Sequence, residues 1–156
     1  MRRPLLESES AHRRVATATW WHDPPFLLGL LAGPASWVTL ALLGLPRPDD
    51  PPPIALLVTS VVVAPLLEEY LFRGLLQGAL LKRARLARRR FGLSGANLIV
   101  SLLFALAHLW SQPAPGAAAV LLPSLAFGAC RDRYGILLPG IVLHAFWNAG
   151  FVWLFA

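Results

Sequence analysis

The chain has 156 residues, 56% of them hydrophobic and only 14% charged, where a soluble domain carries about 25% charged residues. With a mean hydropathy of +0.59, it has too little polar sequence to cover a soluble fold and too much apolar sequence for a disordered chain, which leaves an integral membrane protein with one compact domain. The net charge of +6 reads as membrane-loop bias and not as a nucleic-acid surface, because no basic stretch carries the interleaved aromatics that stack on bases.

Residues 1–25 read as a polar arm, with Arg2, Arg3, Arg13 and Arg14 against Glu7 and Glu9. Trp20 and Trp21 stand at its end, where a membrane interface favours indole rings. Phe26–Leu45 is the first apolar run, twenty residues without a charge and long enough to span. Pro46–Pro53 is a turn that no helix continues through. Ile54–Leu81 is the longest run; at about 1.5 Å per residue it reaches roughly 42 Å, so it is expected to tilt or to kink at Pro65. Lys82–Arg90 carries six positive charges in nine residues. Leu93–Trp110 is the third run, and Ser111–Gly116 is a turn. Ala117–Cys130 is a shorter run that leaves open whether it fully spans. Arg131–Arg133 reads as a brief charged loop, and Ile136–Ala156 as the last run. Cys130, the single cysteine, excludes an internal disulfide and a Cys-ligated cluster and is expected to pack. The expected fold is an all-α, multi-pass transmembrane helical bundle of about five spans, with the arm at 1–25 and the membrane domain at 26–156.

The loop charges agree with that count. With a cytoplasmic N-terminus and every run crossing, segments 1–25, 82–92 and 131–135 hold twelve of the fourteen Lys and Arg residues. The exterior loops hold only Arg47, beside Asp49 and Asp50. Lys and Arg near span ends mark the cytoplasmic side, so the C-terminus is expected outside.

Glu68, Glu69, Arg73, His108 and His144 fall within apolar runs. Each ionisable group at mid-bilayer costs about 2.5–3.5 kcal/mol on insertion scales, so such groups must face one another and mark a candidate functional site. Glu69 and Arg73 are four apart and share a helix face, whereas Glu68 points about 100° away and is free for another partner. His144 with Asn148, and Phe104 with His108, repeat the four-residue spacing, so three helices each offer a polar face. A carboxylate near an imidazole deprotonates water, and an imidazole with a carboxamide donates hydrogen bonds to an oxyanion. Together these outline amide hydrolysis without a covalent intermediate; Ser101 and Ser124 lie in spans but outside any nucleophile motif. Plainer readings stand beside this one. Glu69–Arg73 serves equally as a structural ion pair, Asn148 as interhelical glue, and either histidine as a packing residue; Glu68 is hardest to explain that way. Gly74 and Gly78 form a small-residue pair that helix packing explains. Zinc is the competing account, since two His and one or two Glu can hold it, although no H-E-x-x-H helix is present. A proton-relay carrier would show inverted repeats or broken helices, and none is visible.

In chain order, Glu68-Glu69-Tyr70-Leu71-Phe72-Arg73 reads E-E-x-x-x-R, Phe104 to His108 reads F-x-x-x-H, and His144 to Asn148 reads H-x-x-x-N. Gly128 and the segment Tyr134-Gly135-Ile136-Leu137-Leu138-Pro139 accompany them. Over residues 54–150 the sequence resembles the CPBP family of intramembrane proteases, also called the Abi family, which includes the type II CAAX prenyl endopeptidases. The resemblance implies a CAAX-protease-like helical bundle around a polar cavity and proteolysis of a glutamate type. By matching position, Glu68 would activate the attacking water with help from His108. His144 and Asn148 would stabilise the oxyanion, while Glu69, Arg73 and Phe104 would support the site. A small bacterial member of the inner membrane is implied, acting without a cofactor or with zinc on a membrane-anchored protein near its C-terminus. The alternative is a non-catalytic protein of the same fold, such as a bacteriocin-immunity partner.

Overall fold

The computed structural model describes residues 19–156; most of the expected polar arm lies outside them. Five helical segments follow. A single 3-10 turn, Trp20–His22, leads into α1, Pro24–Leu42, which starts on two prolines, where a missing N–H costs nothing. Segment α2, Ile54–Leu81, follows the proline-rich turn. Next come one helical turn, Ala84–Ala87, and a minimal antiparallel hairpin that pairs Arg89–Arg90 with Leu93–Ser94. The hairpin turns through Phe91 and Gly92, both at positive φ. Segment α3, Gly95–His108, begins where the Ser94 hydroxyl accepts the Asn97 N–H at 3.0 Å. Segment α4, Ala114–Tyr134, is interrupted at Val120 and ends at Gly135 in the left-handed conformation, as helix C-termini commonly do. Segment α5 is Leu138–Phe155.

The chain is therefore an all-α, multi-pass membrane bundle. Helices α1, α2, α4 and α5 are long and apolar enough to cross a membrane, while α3 is apolar but has 14 residues, about 21 Å against a hydrocarbon core of about 30 Å. The expected third run, Leu93–Trp110, is shortened at its start because Leu93 and Ser94 are spent on the hairpin and the cap. The run Ala117–Cys130 is lengthened instead. Arg131–Arg133 is not a loop; it forms the last turn of α4, where cations oppose the negative end of the helix dipole.

The cross-contacts give each helix its direction. Helices α1 and α5 run parallel: the Trp147 indole N–H donates to Gly29 O at 3.0 Å, and Gly150 lies against the Trp37 ring. Helices α2 and α4 also run parallel, since Arg73 reaches Ser124 and Gln77 reaches Gly128 and Asp132. The start of α1, the end of α2, the hairpin and the end of α4 therefore meet at one end of the bundle, which carries Lys82–Arg90, Arg131 and Arg133. There the Asp23 carboxylate takes the Arg133 guanidinium and the Tyr134 hydroxyl, the latter at 2.7 Å. Trp20 is not an interfacial anchor. It is 9% exposed and packs edge-on against Phe26 in a cluster with Phe127, Cys130, Tyr134 and Leu143. Trp21 does stay half-exposed.

Candidate active site

The site begins with the geometry of α2. Two stretches of this helix, Thr59–Val63 and Glu69–Gln77, adopt the wide π turn closed by i→i+5 bonds. The first ends two residues before Pro65, which has no N–H for the ordinary i−4 bond. A wide turn carries more residues than the 3.6 of an α-turn, so residues four apart stay nearly in line. The buried residues of α2 are Pro65, Glu69, Arg73 and Gln77, each four from the last. Most other side chains of the helix are apolar and exposed or half-buried, so Glu69, Arg73 and Gln77 form one buried polar stripe that faces protein.

Glu69 and Arg73 are 0% and 1% exposed. The Arg73 Nη1 lies 3.3 Å from Glu69 Oε1, an ion pair without hydrogen-bond geometry. The Arg73 Nη2 donates to the Ser124 hydroxyl at 2.7 Å and to the Ser124 carbonyl at 2.9 Å. The guanidinium lies over the Phe104 ring at 4.5 Å, a contact that gains strength when desolvated. Gln77 donates to Gly128 O and to Asp132. Asp132 also takes the Ser94 N–H and hydroxyl, so the stripe is tied to the hairpin and to α4.

His144 on α5 enters from the opposite side. Its Nδ1 is 3.1 Å from Glu69 Oε1, and its Nε2 is 3.7 Å from Glu68 Oε2. Since a carboxylate only accepts, Nδ1 carries the hydrogen and Nε2 faces Glu68. The ring stacks on Phe127 at 4.5 Å and 17°. Glu68 lies off the buried stripe, with its side chain 31% exposed, while the His144 side chain is 5% exposed. Asn148, one turn further on, donates to Ser60 O at 2.9 Å, which fixes the amide and leaves its second N–H. His108 is half-buried at the end of α3. Its Nδ1 lies 2.8 Å from Phe104 O, so in the neutral ring Nε2 is the free, basic nitrogen. Phe104 is the hub between the histidines, with ring centroids 4.5 Å from His108 and 5.9 Å from His144.

Helices α2, α3 and α5 thus meet at His144, which approaches Glu68, Glu69 and Phe104; Arg73 joins through Glu69 and Phe104, His108 through Phe104, and Asn148 through Ser60 O on α2. The sequence reading missed Gln77, Phe127 and Gly140, and it weighed Ser124 only as a nucleophile. The four-residue step from Arg73 would have pointed to Gln77. Gly140 matters because a Cβ there would stand 3.0 Å from Glu69 Oε2. Ser124 acts partly through its backbone carbonyl, which leaves no mark in the sequence. Among the described residues no group of three or more His, Cys, Asp or Glu side chains is arranged to hold a metal ion. Both histidines direct Nδ1 at protein oxygens and keep Nε2 off the backbone, an orientation that a metal-ligating imidazole shares.

Fold and site together define a helical membrane protein with a desolvated carboxylate–imidazole–guanidinium centre. The family model described as type II CAAX prenyl endopeptidase Rce1-like matches residues 50–150, about two thirds of the sequence, and the chain belongs to that family. No curated protein and no solved structure matches it.

Proposed function

We propose that the protein is an intramembrane endopeptidase that hydrolyses a peptide bond of a membrane-anchored protein near its C-terminus. The observation that carries this reading is His144 held between two carboxylates, one buried and one open. Glu69 fixes the imidazole. Glu68, more exposed, takes a proton from water in this reading as the water oxygen adds to the peptide carbonyl carbon. The same carboxyl then passes the proton to the departing amine nitrogen as the C–N bond breaks. His108 supports Glu68 through its free Nε2. Asn148 donates its remaining N–H to the developing oxyanion, and His144 does so from Nε2 when protonated. Glu69, Arg73 and Phe104 hold this arrangement in place.

No cofactor is assigned a step. The basic end of the bundle supports a cytoplasmic N-terminus. The test is mass spectrometry of membrane-protein C-termini in cells with the wild-type protein, with Glu68→Gln, or with neither. The expected result is truncated termini with the wild type alone, since loss of a general base lowers rate by about 10²–10⁴-fold. Identical termini in all three would favour the non-catalytic alternative. With a substrate in hand, EDTA should leave the rate unchanged; a loss reversed by zinc would restore the metal account.

A further inference from the structure

The basic end of the bundle holds a cleft that the proteolytic reading does not use. It encloses about 500 Å³ and is lined by Leu81, Ala87, Arg89, Arg131, Asp132 and Gly135. Its one carboxylate is turned inward: Asp132, 2% exposed, accepts from Ser94 and Gln77. Arg89 donates to the Asp132 carbonyl and Arg131 to the Gly135 carbonyl. Capping of α4 accounts for one N–H from each arginine, and a guanidinium has five. The Arg131 Nε is buried without a hydrogen-bond partner. Among the described residues neither arginine pairs with a carboxylate. From Lys82 to Arg131 the sequence has no Asp or Glu, so nothing local offsets the positive field.

The position of the cleft selects its ligand. Leu81 ends α2 and Gly135 follows α4, so the cleft opens where the apolar spans stop, which is the level of lipid phosphates. Basic pockets between transmembrane helices at this boundary take phosphorylated headgroups, and the guanidinium fork matches phosphate oxygens two at a time. We propose that this cleft seats the phosphate of an anionic lipid headgroup, with Arg89 and Arg131 as its ligands. The site is separate from the Glu68–His144 centre and stands whether or not the protein is a protease.

Native mass spectrometry of the full chain in detergent tests it, with phosphatidylglycerol, phosphatidylcholine and inorganic phosphate as probes. The wild type should prefer phosphatidylglycerol to phosphatidylcholine by at least about tenfold. R89Q/R131Q should lose about thirtyfold in phosphatidylglycerol affinity. R83Q/R85Q removes the same charge from exposed positions outside the lining and should lose no more than about threefold. Should R89Q/R131Q fail to fold, R89K/R131K keeps the charge without the fork and should lose about fivefold. Equal losses in the two glutamine variants, full affinity in the lysine variant, or equal binding of the two lipids would overturn the proposal. So would inorganic phosphate displacing phosphatidylglycerol at equal concentration, which would mark a free-anion site.

Discussion

Arg73 ties three helices together through one side chain: Glu69 on its own helix, Ser124 on α4, and the Phe104 face on α3. Removing it leaves Glu69 desolvated beside an imidazole alone. Breaking a buried pair in this way costs about 3–5 kcal/mol, so Arg73→Ala should unfold far earlier than wild type in a detergent melt and lose activity with it. A melt that matches wild type would contradict the bracing role. The pairing of Glu69 with Arg73 was legible from their spacing. The partner of Glu68 was not: helix angles place it away from Arg73 but do not name the opposing helix, and His144 lies 76 residues further along the chain. The carbonyls that accept from Asn148 and Arg73 were also hidden, because every residue has one.

At the scale of single elements, α2 departs furthest from what its sequence implies. In an α-helix a four-residue step drifts by about 40°, so Glu69 and Gln77 would diverge by about 80° across two steps. The wide turn removes most of that drift and keeps Gln77 in the stripe, where it reaches Asp132. Pro65 marked an irregularity at the sequence level, but not its form. The close approach of α3 to α4 depends on Gly128. A Cβ there would overlap the Asn97 carboxamide, which donates to Leu125 O and accepts from Ser101. Displacing a buried, bonded amide belongs with overpacking changes of about 1–3 kcal/mol. Gly128→Ala should therefore lower the melting temperature while the chain still inserts, and an unchanged melt would show that α3 and α4 are free to separate. Gly74 and Gly78, singled out in the sequence as a packing pair, meet only ordinary contacts; the tightest approaches are at Gly128 and Gly150.

Across the whole molecule, the two faces of the bundle obey opposite rules. The exposed large hydrophobic residues are mostly leucines and valines, whereas Glu69, Arg73, Gln77, Asn97, Ser101, Ser124, Asp132 and His144 are buried. At the basic end, Asp23 closes α1 against α4. The Arg133 hydrogen bond holds its carboxyl below the usual range, opposed by desolvation and aided by the Tyr134 hydroxyl. A depressed folded value means that the clamp is at full strength above the unfolded value of about 3.9 and is lost as pH falls through the lower folded value. Asp23→Asn should therefore lower the melting temperature equally at about pH 7 and about pH 5, and the gap should narrow progressively as pH falls below about 4. A gap of the same size at about pH 2 as at about pH 7 would show that the clamp does not depend on charge.

Composition and order were enough to determine a helical membrane protein, most of its turns, and Glu69, Arg73 and His144 as ionisable groups inside it. The physical reason is that water-free surroundings forbid unpaired backbone and stray charge, so apolar length and misplaced ionisable groups are read directly. Only the tertiary structure decided which carboxylate holds His144, that α3 stops short, that Arg131–Arg133 is helical, and that Asp132 is buried. Each of those depends on what stands opposite in space, and the spacing of residues along one helix carries no record of its neighbour.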